Sequence, residues 1–184
     1  MDSCELKPGQ WLAVIGCGGL GQFATQYAKA MGFKVIAIDI QDGSLEICKK
    51  LGADVTFNSR TNPNYIEELK KLADGKGAHA AAVFSNAKPA YDSAPSVLRI
   101  GGLIMVIGIC SQDISVSTMS LACGIYRIKA DSTSLPHRMP KAVKFTAEHN
   151  ILPEVDFRPL EDVPAMIEEM KQGKLTKRQA VLFD

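Results

Sequence analysis

Trp11-Leu-Ala-Val-Ile-Gly-Cys-Gly-Gly-Leu-Gly21 decides how this chain reads. Its first five residues are an apolar run of strand length, and Gly16, Gly18 and Gly21 follow at G-x-G-x-x-G spacing directly before a helical pattern. In that setting the spacing marks a dinucleotide-binding turn. Gly16 permits the tight turn, Gly18 leaves room for a pyrophosphate to approach the backbone, and Gly21 lets the helix lie close on the strand with its free N–H groups toward the phosphates. A second apolar run, Lys34-Val-Ile-Ala-Ile-Asp39, closes on a carboxylate at about the 20-residue offset where an acid accepts from the adenosine ribose hydroxyls. Ile40 and Gln41 beside it offer no cation to balance a 2′-phosphate, so NAD is expected over NADP.

Outward from this core the chain alternates strand and helix patterns. Leu20, Phe23, Ala24, Tyr27, Ala28 and Met31 recur at helical spacing up to Gly32, which predicts that this face lies on a sheet. A short helix over 44–51 and a strand over 53–57 come next. Asn62-Pro63 reads as a cap, with Ile66, Leu69, Leu72 and Ala73 as the buried face of the following helix. His79–Phe84, rich in alanine, fits a strand covered on both faces. Residues 88–99 read as a helix that Pro95 kinks or shortens, Gly101-Gly102 as a turn, and Leu103–Ile107 as a strand. Polar residues 111–120 read as a loop, Tyr126–Ala130 as a sixth strand and 140–149 as a helix. Beyond Ile151 the pattern gives a strand at Val155–Leu160, an amphipathic helix carrying Val163, Met166, Ile167 and Met170, and a terminal strand at Lys177–Phe183. The expected fold is a doubly wound parallel α/β sheet of six strands, a Rossmann fold, over residues 1–150, with 151–184 as a separate C-terminal segment.

The 184 residues are 46% hydrophobic, enough for one full core, and the net charge of +1 is dispersed without the basic stripe of a nucleic-acid binder. No apolar run has transmembrane length, and Met1-Asp-Ser-Cys-Glu5 lacks the features of a signal peptide, so a cytoplasmic protein without membrane or nucleic-acid partners is expected. Cys4, Cys17, Cys48, Cys110 and Cys123 are odd in number and none lies within metal-ligand spacing of another, which argues against a disulfide framework and a zinc site. Cys17 reads as a small filler in the turn rather than a reactive thiol.

Lys7–Gly21, Tyr27–Gly32, Lys50–Asp54, Gly77-Ala-His-Ala80, Gly101-Gly102 and Pro159–Val163 together resemble the cofactor half of the zinc-containing medium-chain alcohol dehydrogenases. Gly77–Ala80 and Lys88-Pro-Ala-Tyr91 are most similar to the yeast-type, primary-alcohol branch. The resemblance implies that Gly18, Gly19, Leu20 and Gly21 hold the pyrophosphate and Asp39 the adenosine ribose. It implies further that Phe84 and Ser85 line the cofactor crevice, that Ile107, Gly108 and Ile109 present backbone groups to the nicotinamide, and that Arg178 reaches back to the phosphates. His79 belongs to the signature but, within an apolar strand, is expected to be a packed, hydrogen-bonded side chain.

Three departures from the family pattern stand out. The family's catalytic half, with its zinc ligands and structural-zinc cysteines, is not represented here, so the chain is expected to be an excised domain or the product of a shortened gene. Ala130-Asp131 leads into Ser132–Pro136 where the family has a Gly-Ser pair, which places a negative charge near the nicotinamide half. Ser44 stands where a lysine often follows the ribose aspartate. The implied activity is hydride transfer between an alcohol and NAD in the whole enzyme, with zinc outside this chain, no catalytic or metal residue within it, and no alcohol oxidation by the chain alone. The alternatives are a stand-alone dinucleotide-binding sensor or regulatory module, and a zinc-independent reductase of the same superfamily. Ile125–Ala130 is expected to join two copies edge to edge as a homodimer.

Overall fold

The computed structural model describes residues 2–130 and 136–183. After a 3-10 turn at Asp2–Cys4 the elements run β1 (Trp11–Ile15), α1 (Gly19–Ala30), β2 (Lys34–Asp39), α2 (Asp42–Lys50), β3 (Val55–Asn58), α3 (Tyr65–Leu72) and β4 (Ala78–Val83). They continue through α4 (Lys88–Ser93), β5 (Leu98–Val106), α5 (Thr118–Ala122), β6 (Tyr126–Ala130), α6 (Met139–Glu148), β7 (Val155–Arg158), α7 (Val163–Lys171) and β8 (Arg178–Val181). Six strands form one sheet in the order β3-β2-β1-β4-β5-β6, every neighbouring pair parallel, which is the Rossmann arrangement. The order reverses between β1 and β4, so their C-terminal ends splay apart and leave the crevice where ligands of such sheets sit.

Strand periodicity divides the core into two layers. Leu12, Val14, Val35, Ala37, Ala80, Ala82, Leu103 and Met105 face α1 and α2, where they meet Ala24, Ala28, Leu45 and Cys48. Their alternates Ala13, Ile15, Ile36, Ile38, Ala81, Val83 and Ile104 face the other side and pack on Tyr65, Leu69, Tyr91, Ala94 and Val97. The alanines of β4 let helices approach both faces of the sheet centre.

Several local expectations are corrected. The helix over 88–99 is shortened, as Pro95 implies, to a six-residue α4 followed by a 3-10 turn at Ala94–Val97, and β5 starts early, at Leu98. Pro95 lacks the N–H that a longer helix needs. Gly101-Gly102 lies inside β5, absorbed by a register shift opposite Ala78–Ala80, instead of forming a turn. The N-cap of α3 is Asn64; Asn62 turns the chain before it by accepting from the Asn64 N–H. Leu72 is exposed, whereas Tyr65 is buried. The loop at 111–120 ends in the short α5. On α1 the buried set is Gly21, Gln22, Ala24, Thr25 and Ala28, while Leu20 is exposed at the N-terminal end. Asp131, whose charge was expected near the nicotinamide half, lies outside the described residues with 132–135.

α6 and the start of the C-terminal segment dock on α1. Tyr27 and Thr146 share a hydroxyl–hydroxyl hydrogen bond, Phe145 stacks on Tyr27, and Gln26 exchanges two hydrogen bonds with the Leu152 backbone. β7 and β8 pair in parallel as a two-stranded sheet of their own.

His79 has a structural task. Its Nδ1 accepts from the Trp11 N–H at 3.1 Å, tying the start of β1 to β4. That acceptor exists only in the neutral ring, and burial, aided by the Arg99 charge, holds the His79 pKa below the ordinary 6.5. Because the unfolded chain takes up this proton first, the stabilisation is complete above pH 6.5 and is lost as pH falls through 6.5 toward the lower folded value. Thermal melts should therefore drop between pH 7 and pH 5, and His79→Asn, which keeps an acceptor without titrating, should flatten that part of the profile. An unchanged slope in the variant would assign the acid sensitivity to other groups.

Candidate functional site

The crevice is built from backbone meeting backbone at the ends of β1, β4 and β5. Gly16 has φ +93°, and a Cβ there would stand 2.7 Å from the Ser85 nitrogen. A Cβ on Gly108 would stand 2.2 Å from the Ser85 oxygen, and one on Gly21 would stand 2.0 Å from the Gly16 oxygen. These three glycines let the strand ends and the first turn of α1 touch. Gly18 differs: nothing lies within 4 Å of its Cβ position, and its backbone is extended. The free side of the loop is therefore over Gly18.

Beside that opening, α1 begins without a capping side chain or an acidic residue in its first turn. The N–H groups of Gly19, Leu20 and Gly21 are left as first-turn donors at the positive end of a 12-residue helix. Arg178 lies on the same spot. Its side chain would be 2.8–3.4 Å from a Cβ on Gly19, and its guanidinium carbon is 5.8 Å from the centre of the Phe23 ring. Arg127, Lys129, Lys29, Lys88, Arg158 and Lys177 each pair with a carboxylate, whereas Arg178 has no ion pair among the described residues. A helix N-terminus and an unpaired guanidinium side by side make an anion site.

Asp39, at the end of β2, faces the loop. Its Oδ2 accepts from the Cys17 N–H at 2.6 Å, and its Oδ1 accepts from Ile40 and Gln41 at 2.7 and 2.9 Å. The carboxylate thus holds the turn in place and, with about four lone-pair sites on its two oxygens, keeps room for a further donor. Cys17 is fully buried beneath it, and its neighbour Cys48, together with burial, pushes the Cys17 thiol up, which makes it an inert filler.

Phe84 and Ser85 follow β4, with the Phe84 N–H donating to the Ile15 carbonyl at 2.8 Å. Ile107 and Gly108 both donate their N–H groups to the Val83 carbonyl, and the Gly108 carbonyl accepts from the Tyr91 hydroxyl. Ile109 is 80% exposed. Gly16, Gly18, Gly19, Leu20, Gly21, Asp39, Phe84, Ser85, Gly108 and Arg178 thus gather around the ends of β1, β2, β4 and β5 and the start of α1.

Sequence reasoning missed Gln22, which is 2% exposed, and Thr176. The Gln22 Nε2 donates to the Cys17 carbonyl at 3.0 Å and to the Thr176 carbonyl at 2.5 Å. Gln22 lies off the apolar stripe of α1, so no local signal marked it. Among the described residues no three His, Cys, Asp or Glu gather to hold a metal ion, and no helix is long and apolar enough to cross a membrane.

A family model described as "Zinc-binding dehydrogenase" matches residues 19–148. Among solved structures, the alcohol dehydrogenase of the archaeon Aeropyrum pernix superposes with a TM-score of 0.88 at 23% identity, over 99% of this chain and 53% of that one. The alcohol dehydrogenase of a Thermus species gives 0.87 at 20% identity, over 100% and 54%. The acetophenone reductase of Geotrichum candidum, solved in complex with NAD, gives 0.82 at 23% identity, over 98% and 50%. At such identities the superpositions establish the fold, and this chain spans about half the length of each of these proteins. The family match covers more than two-thirds of the chain, which belongs to the zinc-binding dehydrogenase family.

Proposed function

We propose that this chain is the NAD(H)-binding part of a zinc-dependent alcohol dehydrogenase of the cytoplasm, closest to the yeast-type branch. The observation that carries the proposal is the unpaired Arg178 guanidinium packed on Gly19 at the open N-terminus of α1. The N–H groups of Gly19, Leu20 and Gly21 and the Arg178 side chain bind the pyrophosphate, and Gly18 gives it access. Asp39 orients the adenosine ribose through its remaining acceptor capacity. Ser85 and Ile109 border the nicotinamide end, where Gly16 and Gly108 keep the backbone low. When bound, the nicotinamide supplies the hydride acceptor and donor for alcohol and aldehyde. In this reading the zinc is held by a part of the enzyme beyond this chain; among the described residues no three His, Cys, Asp or Glu gather to hold a metal ion.

NADH fluorescence titration is the test. The purified chain should bind NADH, and Arg178→Ala should weaken binding about tenfold, the size of one lost charge-assisted hydrogen bond. With zinc added, ethanol and longer primary alcohols should show no turnover, because positioning without electrophilic activation leaves most of the barrier standing. Absent NADH binding would defeat the proposal, and zinc-dependent turnover would relocate the chemistry into this chain.

The quaternary proposal is a homodimer across β6, the terminal strand of the sheet, where Ile125 and Ile128 are exposed. Light scattering that finds only monomer at high concentration would refute it.

A further inference from the structure

We infer that Gln22 is a positioning residue that locks the arm 173–178 onto the glycine loop and so sets Arg178 over Gly19; the inference rests on the NAD(H)-binding reading. Of the arm's contacts with the glycine loop, the Gln22 hydrogen bond is the one made by a buried side chain. No residue from 171 to 181 is buried, so apolar packing does not fix its place. Its attachments are polar: Gln41 Nε2 donates to the Gly173 carbonyl at 2.7 Å, Gln22 Nε2 donates to the Thr176 carbonyl at 2.5 Å, Lys177 Nζ pairs with Glu154 and Asp156 at 3.5 and 3.7 Å, and at Arg178, where β8 begins its pairing with β7, the N–H donates to the Glu154 carbonyl at 3.0 Å. The Thr176 methyl also rests against Gly43, where a Cβ would stand 3.0 Å away.

Gln22 is the buried member of this set. An amide NH2 has two donors, and here one goes to the loop through the Cys17 carbonyl and the other to the arm through the Thr176 carbonyl. The opposite amide orientation would set its oxygen against two carbonyl oxygens, so the orientation is fixed. In it, Oε1 is buried with no hydrogen-bond partner. A polar side chain held in the core with one end unsatisfied serves poorly as packing and well as a tie between two backbones. Through this tie the loop that receives the phosphates and the cation that faces them move as one unit.

The test uses Gln22→Met, which keeps the volume and removes both donors. Amide hydrogen exchange of the ligand-free chain should quicken at 174–178 in the variant; unchanged exchange there would overturn the inference without reference to any ligand. In NADH titrations Gln22→Met should raise Kd about five- to tenfold, and Gln22→Met with Arg178→Ala should be no worse than Arg178→Ala alone, since both remove the same cation from its place. Additive losses would show that Gln22 acts apart from Arg178 and would overturn it. Should Gln22→Met fail to fold, Gln41→Met loosens the same arm from the surface and is judged by the same exchange and titration outcomes. If the unmodified chain binds no NADH, the nucleotide reading falls, and the exchange result still decides the arm.

Discussion

Alanine in place of Asp39 is expected to weaken NADH binding about 10- to 100-fold and to lower the melting temperature by about 4–8 °C. The two effects have separate sources. Ile40 is exposed and Gln41 partly so, and water can replace the carboxylate at their N–H groups. Cys17 is fully buried, so its N–H keeps no partner, a loss of about 2 kcal/mol. The nucleotide effect adds the loss of the ribose acceptor to a glycine turn no longer held against β2. Asp39→Asn should behave similarly, because one terminal atom becomes a donor and must face either the Cys17 N–H or those of Ile40 and Gln41. NADPH measured in parallel should lose much less than NADH, since the 2′-phosphate no longer meets a carboxylate. Unchanged NADH affinity would remove Asp39 from the site.

The second large effect separates two glycines of one loop. In Gly21→Ala the new methyl would stand 2.0 Å from the Gly16 oxygen and 2.9 Å from the Gly16 carbonyl carbon, both backbone atoms of the turn itself. Helix and turn must then part, at a cost of about 3 kcal/mol, or about 6–12 °C in melting temperature. In Gly18→Ala the methyl meets nothing within 4 Å, and the backbone is one that alanine adopts. Its melting temperature should change by no more than about 2–3 °C while NADH affinity falls about tenfold or more, because the methyl occupies the approach of the phosphates. Melts and titrations on both variants give the comparison. Equal melting losses would mean that the loop is packed from both sides and does not receive a ligand at Gly18.

What could be read from the sequence was what short range specifies. Gly16, Gly18, Gly21 and Asp39 carry their geometry in residue type and spacing, and the strand periodicity that sorts Leu12 and Val14 from Ala13 and Ile15 needs no tertiary knowledge. The early start of β5 was hidden because Gly101-Gly102 has the composition of a turn, and only the β6 side holds it in a strand, through Gly102 opposite Tyr126 and the Gly101 N–H on the Ile125 carbonyl. The face of α1 was misjudged for a related reason. Its helix is contacted on one side by the sheet and on another by residues 145–152 and 176–178, so half-buried Phe23 and Tyr27 belong to the second contact. Gln22 and Thr176 are separated by 154 positions, and no local pattern announces that they meet.

That separation sets an order of events when the chain is made. All six strands of the main sheet have been synthesised once Ala130 is in place, but the cation that completes the anion site is Arg178, roughly fifty residues later, a delay of about 2–10 s at ordinary elongation rates. During that interval the nascent chain has a glycine loop and a helix terminus without their guanidinium. On the proposed function, full cofactor capture therefore waits for Arg178, and until then the growing chain is held by the packing of its main sheet and the helices on both faces.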